Sequence, residues 1–324
     1  MSLRDVTALE LVVGSAVVLI ALVALLVPRR LSAAVSFLIF GVLLSVLWAL
    51  AGAPDVALAE AALGAGVTGV LFLEAVSRSR TPSPREVAGP RPWLAALATV
   101  GAAAVLTLGL APALWRAATP LGEGSAGLST DVARALPQTG VEHGVTGVLL
   151  NLRSYDTLLE VVVLLVAVLV ALTVARTDAG ASMSASHRAP PPPATGVPPL
   201  QTAATGVLAP MLVLLAAWLL FAGSSRPGGA FQSGAVLAAL ALLLHLAQRP
   251  VLPLGSGRAR VVAVAGVLAF VLVAAIGPLI GGAWLQLDPA WAEPVIVVLE
   301  SVLAVAIGAS LALLALSLRQ GASR

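Results

Sequence analysis

The sequence predicts an all-α integral membrane protein of about nine transmembrane helices, N-terminus out and C-terminus in, built as a five-helix module followed by a four-helix module. Composition is the first reason. With 59% apolar and 10% charged residues among 324, and a mean hydropathy of +1.04, the chain has more apolar surface than one water-soluble core could hide. The second is a succession of apolar windows of about 20 residues, the length that crosses roughly 30 Å of hydrocarbon. The third is the arginine distribution. All 18 basic residues are Arg, and with the N-terminus outside, 13 of the 18 fall in cytoplasmic segments, leaving Arg4, Arg116, Arg134, Arg153 and Arg226 outside.

The windows fall near 7–27, 31–51, 55–76, 93–113 and 155–175, then near 206–222, 232–248, 260–282 and 294–318. Acidic Asp5 and Glu10 precede the first, with no basic n-region or cleavage site, so it reads as a retained span. A polar, Gly-rich loop over 116–140 leads to an apolar stretch, 141–152, that is too short to span and reads as an interfacial helix. Residues 1–176 make the first module, 177–204 a Pro-rich linker and 205–324 the second module. The linker holds Pro190 to Pro193 and Pro198-Pro199, which stay extended and act as a spacer; an SH3-type ligand is the competing reading. The halves show no internal repeat.

Composition also excludes function classes. The absence of cysteine rules out disulfides, thiolate-held iron–sulfur clusters and Cys zinc sites. A net charge of +3, with Arg confined to loops, gives no continuous basic face for nucleic acid. His143, His187 and His245 have no ligand spacing, and there is no phosphate loop, nucleophile elbow or dinucleotide fingerprint. No catalytic residue, metal site or cofactor is expected.

Acids inside apolar spans are the candidates for chemistry, because a charge at depth usually faces a partner, a cavity or a proton path. Glu60 sits near the start of the third span and Glu74 near its end, about 21 Å apart along the axis and close to one stripe. An interfacial position competes for both, Glu74 snorkelling toward Arg78 and Arg80. Between them Gly64, Gly66 and Gly69 permit either close helix packing or a π-bulge, and sequence does not separate the two. Asp156 and Glu160 stand at i and i+4, with Arg153 within pairing reach of Asp156. Asp156 reads equally as a helix cap, whereas Glu160 precedes Val161 to Val166 and is placed on a polar path. His143 is a possible proton relay, with a solvated loop position as its competing reading. Glu300 is buried in the ninth span unless it faces the bundle. Pro227-Gly228-Gly229 forms a tight turn before the seventh span.

Three of these segments, in this order, resemble a known family. Pro54-Asp55-Val56-Ala57-Leu58-Ala59-Glu60-Ala61, with Gly64 and Gly66, resembles the Pro-Asp-Val-Ala-Leu-Thr-Glu-Ala signature found in Mrp-type cation/proton antiporters and membrane-bound hydrogenases. Arg153-Ser154-Tyr155-Asp156-Thr157-Leu158-Leu159-Glu160 is similar to their Phe-Arg-Gly-Phe-Asp-Thr-Leu-Gly-Glu segment, and Pro227 to Phe231 to the Pro-Gly-Gly-Gly-Phe motif of the antiporter B subunit. The resemblance implies the carboxy-terminal region of the antiporter's large A subunit, akin to a five-helix membrane component of respiratory complex I, fused to the B subunit. It implies an accessory role in a multi-subunit Na+/H+ antiporter of the cell inner (plasma) membrane, with other antiporter subunits as partners and Na+ and H+ as the complex's transported ions. The alternative is a membrane-arm subunit of a hydrogenase or related redox-driven ion pump. Glu60 and Glu160 match acidic positions of the family's ion or proton path. Ala59 for Thr, Asn151 for Asp, Ser154 and Leu159 for Gly, and Ala230 for Gly are departures, and Asn151 removes a charge.

Overall fold

The computed structural model describes residues 7–69, 128–183, 199–249 and 257–322, with positions 72, 76, 101, 105, 108 and 109. The chain divides into two compact units, residues 1–78 with 135–324, and residues 79–134. The first contains the candidate site. No strand occurs among the described residues.

α1 (Ala8–Leu26) starts at a capping box: the Thr7 hydroxyl accepts the Glu10 N–H and the Glu10 carboxylate accepts the Thr7 N–H at 2.6 Å. Glu10 is therefore a cap. α2 (Arg30–Leu50) packs along α1 and turns through Gly52, at φ +75°, into α3 (Pro54–Ala59), whose first residue is a proline with no amide to leave unpaired. α3 continues into a π-helix, π1 (Glu60–Thr68), so the widened-helix reading of the glycine stretch is seen, alongside close packing at Gly69. The Thr68 hydroxyl stabilises it by donating to the carbonyl of Leu63 at 2.8 Å. Gly69 lies against Leu38 of α2, where a side chain would collide.

In the smaller unit the expected 116–140 loop contains a helix, α4 (Leu128–Ala135), with Leu128, Val132 and Ala135 at helical spacing and Arg134 paired with Asp131 at 3.1 Å. The expected span near 93–113 lies outside the described residues, apart from helical positions 101, 105, 108 and 109. The short 141–152 helix forms as α5 (Gly144–Gly147) followed by π2 (Val148–Leu152). It is docked into the protein and does not lie on its surface: Thr146, Gly147 and Leu150 are buried, and a Cβ on Gly147 would come within 3.0 Å of Thr139.

α6 (Ser154–Met183), α7 (Pro199–Ala222), α8 (Ala230–Leu246), α9 (Gly257–Ala274), α10 (Ile276–Leu279) and α11 (Pro289–Ala322) follow. α6 runs on to Met183 and α7 begins at Pro199, so helix occupies both ends of the expected 177–204 linker, whose residues 184–198 lie outside the described ones. The break between α9 and α10 has a local cause. Pro278 has no amide to offer the Ala274 carbonyl, which instead accepts the N–H of Leu285 at 3.2 Å.

α11 is the axis of the bundle. α6, α8 and α9 pack on it, and Phe270, Ile296, Leu303 and Ile307 between them are fully buried. Glycines make this approach possible: a Cβ on Gly234 would meet Ile307 at 2.8 Å, on Gly308 Leu237 at 2.8 Å, and on Gly266 Ala306 at 2.7 Å. Among the described residues six helices are long and apolar enough to cross a membrane, and α8 is a shorter apolar helix. The outward faces of α1, α6 and α7 carry exposed Leu and Val throughout, as lipid-facing surfaces do. The protein is an all-helical, multi-pass membrane protein.

Candidate functional site

Contacts gather the start of α3, the α5 helix, the turn between α7 and α8, and the interior of α11 around one cavity of about 410 Å³. Its acidic lining comes from Asp55 on α3, Glu160 on α6 and Glu300 on α11, with no Arg or His among the described lining residues. Most of the remaining wall is apolar, including Val56, Leu63, Leu149, Phe231 and Leu303.

Asp55 ties the site together. Its Oδ2 lies 3.0 Å from His143 Nε2, with both side chains largely buried, and its Oδ1 accepts the Gly228 N–H at 3.3 Å. The Gln232 amide donates to the Asp55 carbonyl at 3.5 Å. His143 is held independently, because its N–H and that of Glu142 both donate to the Ser224 carbonyl, at 2.9 and 3.1 Å. One residue earlier, the Gly223 carbonyl accepts the Thr146 hydroxyl. The α7–α8 turn is thus bound to both α3 and α5 through its own backbone.

That turn requires glycine. Gly229 adopts φ +107°, which L side chains rarely reach, and its N–H donates to the Leu219 carbonyl at 2.8 Å. A Cβ on Gly229 would sit 2.8 Å from Glu300 Oε1, and one on Gly228 would collide with the Leu219 carbonyl. Immediately after Pro227-Gly228-Gly229, the N–H of Ala230 at the open start of α8 points at Glu300 and donates to Oε1 at 3.3 Å. Glu300 is only 3% exposed, and its Oε2 is buried without a hydrogen-bond partner among the described residues. A buried acid with one unpaired oxygen is poised to accept a donor.

π2 forms the opposite wall. The Arg153 N–H reaches back five residues to the Val148 carbonyl at 2.7 Å, and the Thr157 hydroxyl, buried on α6, donates to the Leu149 carbonyl at 2.7 Å. Asn151 donates to the Thr139 carbonyl at 3.0 Å, so the amide at this position serves to anchor the loop.

The expected site residues divide. Glu160 lines the cavity and His143 bonds to one of its acids, which replaces the solvated-loop reading. Asp156 pairs with Arg153 at 2.6 Å on the outer part of α6 and is not among the lining residues. Glu60 is half-buried on π1, folded over Gly64 where a Cβ would strike its carboxylate, and does not line the cavity. Gly66 brings its backbone close to the Ala61 carbonyl, 3.2 Å from where a Cβ would stand. Glu74 lies outside the described residues. Asp55 and Glu300 were not among the expected site residues. Asp55 follows a helix-starting proline and reads locally as a first-turn acid, and the available signal for Glu300 was an acid inside an apolar run. Among the described residues, no three acidic or histidine groups stand close enough to hold a metal ion.

Fold and site define a multi-pass helical membrane protein with an acid-lined cavity. Residues 15–81 match the MbhD family, described as the D subunit of MBH, and residues 200–318 match the domain related to the MnhB subunit of Na+/H+ antiporters. The chain thus carries an MbhD-like region near its start and an MnhB-like region over its last third. Among solved structures it is similar to a chain of the Mrp complex from Dietzia sp. DQ12-45-1b, at 22% identity and TM-score 0.70, covering 97% of this chain and 35% of that one. It thus spans about a third of the length of that relative, with which it shares the fold. A chain of the membrane-bound sulfane sulfur reductase, an archaeal respiratory membrane complex, aligns at 22% identity and TM-score 0.49 over 67% of this chain and 95% of that one. No curated protein matches.

Proposed function

We propose that this chain is an accessory subunit of a multi-subunit monovalent cation/proton antiporter, not catalytic by itself, in the cell inner membrane with Na+ and H+ as the ions of the complex. One observation carries the reading: Asp55 from the MbhD-like region, Glu160 from the stretch between the two matched regions and Glu300 from the MnhB-like region face one cavity. In a mostly apolar setting a carboxylate charge is costly unless a cation or proton accompanies it, which links the charge of each acid to ion movement. Acids that share one cavity are suited to passing a proton between sites. His143, bonded to Asp55, extends that set of groups toward the loop side, Glu300 is its buried member and Glu160 its exposed one. Glu60 belongs to a neighbouring position on π1. The arginine bias orients the Asp55–His143 end outward. The same domain boundaries, 1–176 and 205–324, give the two modules.

The MbhD match favours one second reading, a membrane-arm subunit of a redox-driven ion pump. A mild-detergent pull-down of the tagged chain from its native membrane, with mass spectrometry of stoichiometric partners, separates the two. Large antiporter-like subunits without redox proteins are expected. Nickel–iron or iron–sulfur subunits would overturn the antiporter reading, since a Cys-free chain cannot hold such centres itself.

A further inference from the structure

We propose that the cavity is a binding site for lipophilic organic monocations of the alkylammonium type, with the charged head at Glu160 and Glu300 and the apolar body against Leu63, Leu149, Phe231 and Leu303. Three properties converge on this class. Among the described residues the lining supplies carboxylates and no cationic side chain, so the complementary charge is positive. Its volume of about 410 Å³ is that of a small-molecule pocket, and most of its wall is apolar, so a ligand must present hydrocarbon as well as charge. Glu300 is 3% exposed with Oε2 unpaired, which gives an N–H donor a buried acceptor.

A bare inorganic cation fits the same site poorly in this conformation. No three acidic or histidine groups converge among the described residues, so such an ion would lack most of a protein coordination shell, and it would leave the apolar wall uncovered. An alkylammonium ion needs one or two acceptors at its head and solvates its tail on the wall. The inference stands on the cavity and is independent of whether the complex exchanges sodium for protons.

The test is photolabelling of the purified complex containing the full chain, without any ion gradient, by an alkylammonium carrying a diazirine in its chain. Labelled peptides are mapped by mass spectrometry. Labels are expected on cavity residues of α3, π2, α8 and α11, with hexylammonium competing and hexanol competing at least about tenfold less well. E300Q and E160Q should each reduce cavity labelling about tenfold at unchanged complex yield, while E293Q, altering an exposed acid of α11 outside the cavity, leaves it intact. Should E300Q fail to assemble, E160Q on a different helix carries the test. Equal labelling by a neutral diazirine alcohol, or labels confined to the lipid-facing helix surfaces, would overturn the proposal. Absence of exchange activity from the parental complex, with cavity labelling preserved, would count against the antiport reading alone.

Discussion

His143 Nε2 meets Asp55 Oδ2 at 3.0 Å across 88 residues of sequence, and the same carboxylate takes the backbone N–H of Gly228. A single side chain thereby joins the third helix, the short α5 helix and the glycine turn that opens α8. Removing it leaves an imidazole and an amide without their acceptor. D55A is expected to cost about 1–3 kcal/mol. In a double-mutant cycle D55A and H143A should be clearly non-additive. Unfolding of the purified protein in detergent measures both.

Gly229 is the turn residue least able to change. At φ +107°, with Glu300 Oε1 2.8 Å from a built Cβ, G229A combines backbone strain with a clash at the buried acid. A loss of about 1–3 kcal/mol is expected. G257A, at a position with open space around it, should stay within about 0.5 kcal/mol of the parent in the same measurement.

How much of this was legible in the sequence depends on the range of the interaction. The spans follow from runs of apolar residues, and six of the helices lie where those runs are. Local chemistry was legible too, as in the Pro-Gly-Gly turn and the Arg153–Asp156 pair. The cavity was not, because its acids sit on α3, α6 and α11 and only the packed bundle places them together. Each acid has a plausible local role: Asp55 lies in the first turn of α3, while Glu60, the more conspicuous acid, folds over Gly64 outside the cavity. The π-helix over Glu60–Thr68 had a glycine signal that packing would also produce. π2 had none, since its stabilising bond comes from Thr157 on the next helix.

Thr157 therefore offers a test of the second π-helix. T157V keeps the shape and removes the donor to the Leu149 carbonyl, at an expected cost of about 1 kcal/mol. Hydrogen exchange over residues 148–153 should quicken, while exchange in α1, which has no contact with this wall, should not change.

The absence of cysteine makes orientation directly testable. The arginine bias puts the α7–α8 turn outside and the loop between α8 and α9 inside. S225C should react with a membrane-impermeant maleimide in intact cells, and S256C only after the membrane is opened. The reverse pattern would invert the assignment.

Sodium-driven dissipation of a pH gradient in everted vesicles carrying E300Q, with assembly of the complex checked in the same membranes, tests the central claim most directly. If the shared cavity lies on the ion or proton path, E300Q slows exchange by about tenfold or more, equivalent to at least roughly 1.4 kcal/mol in the barrier, without loss of assembly. Parental exchange in fully assembled E300Q vesicles would contradict it.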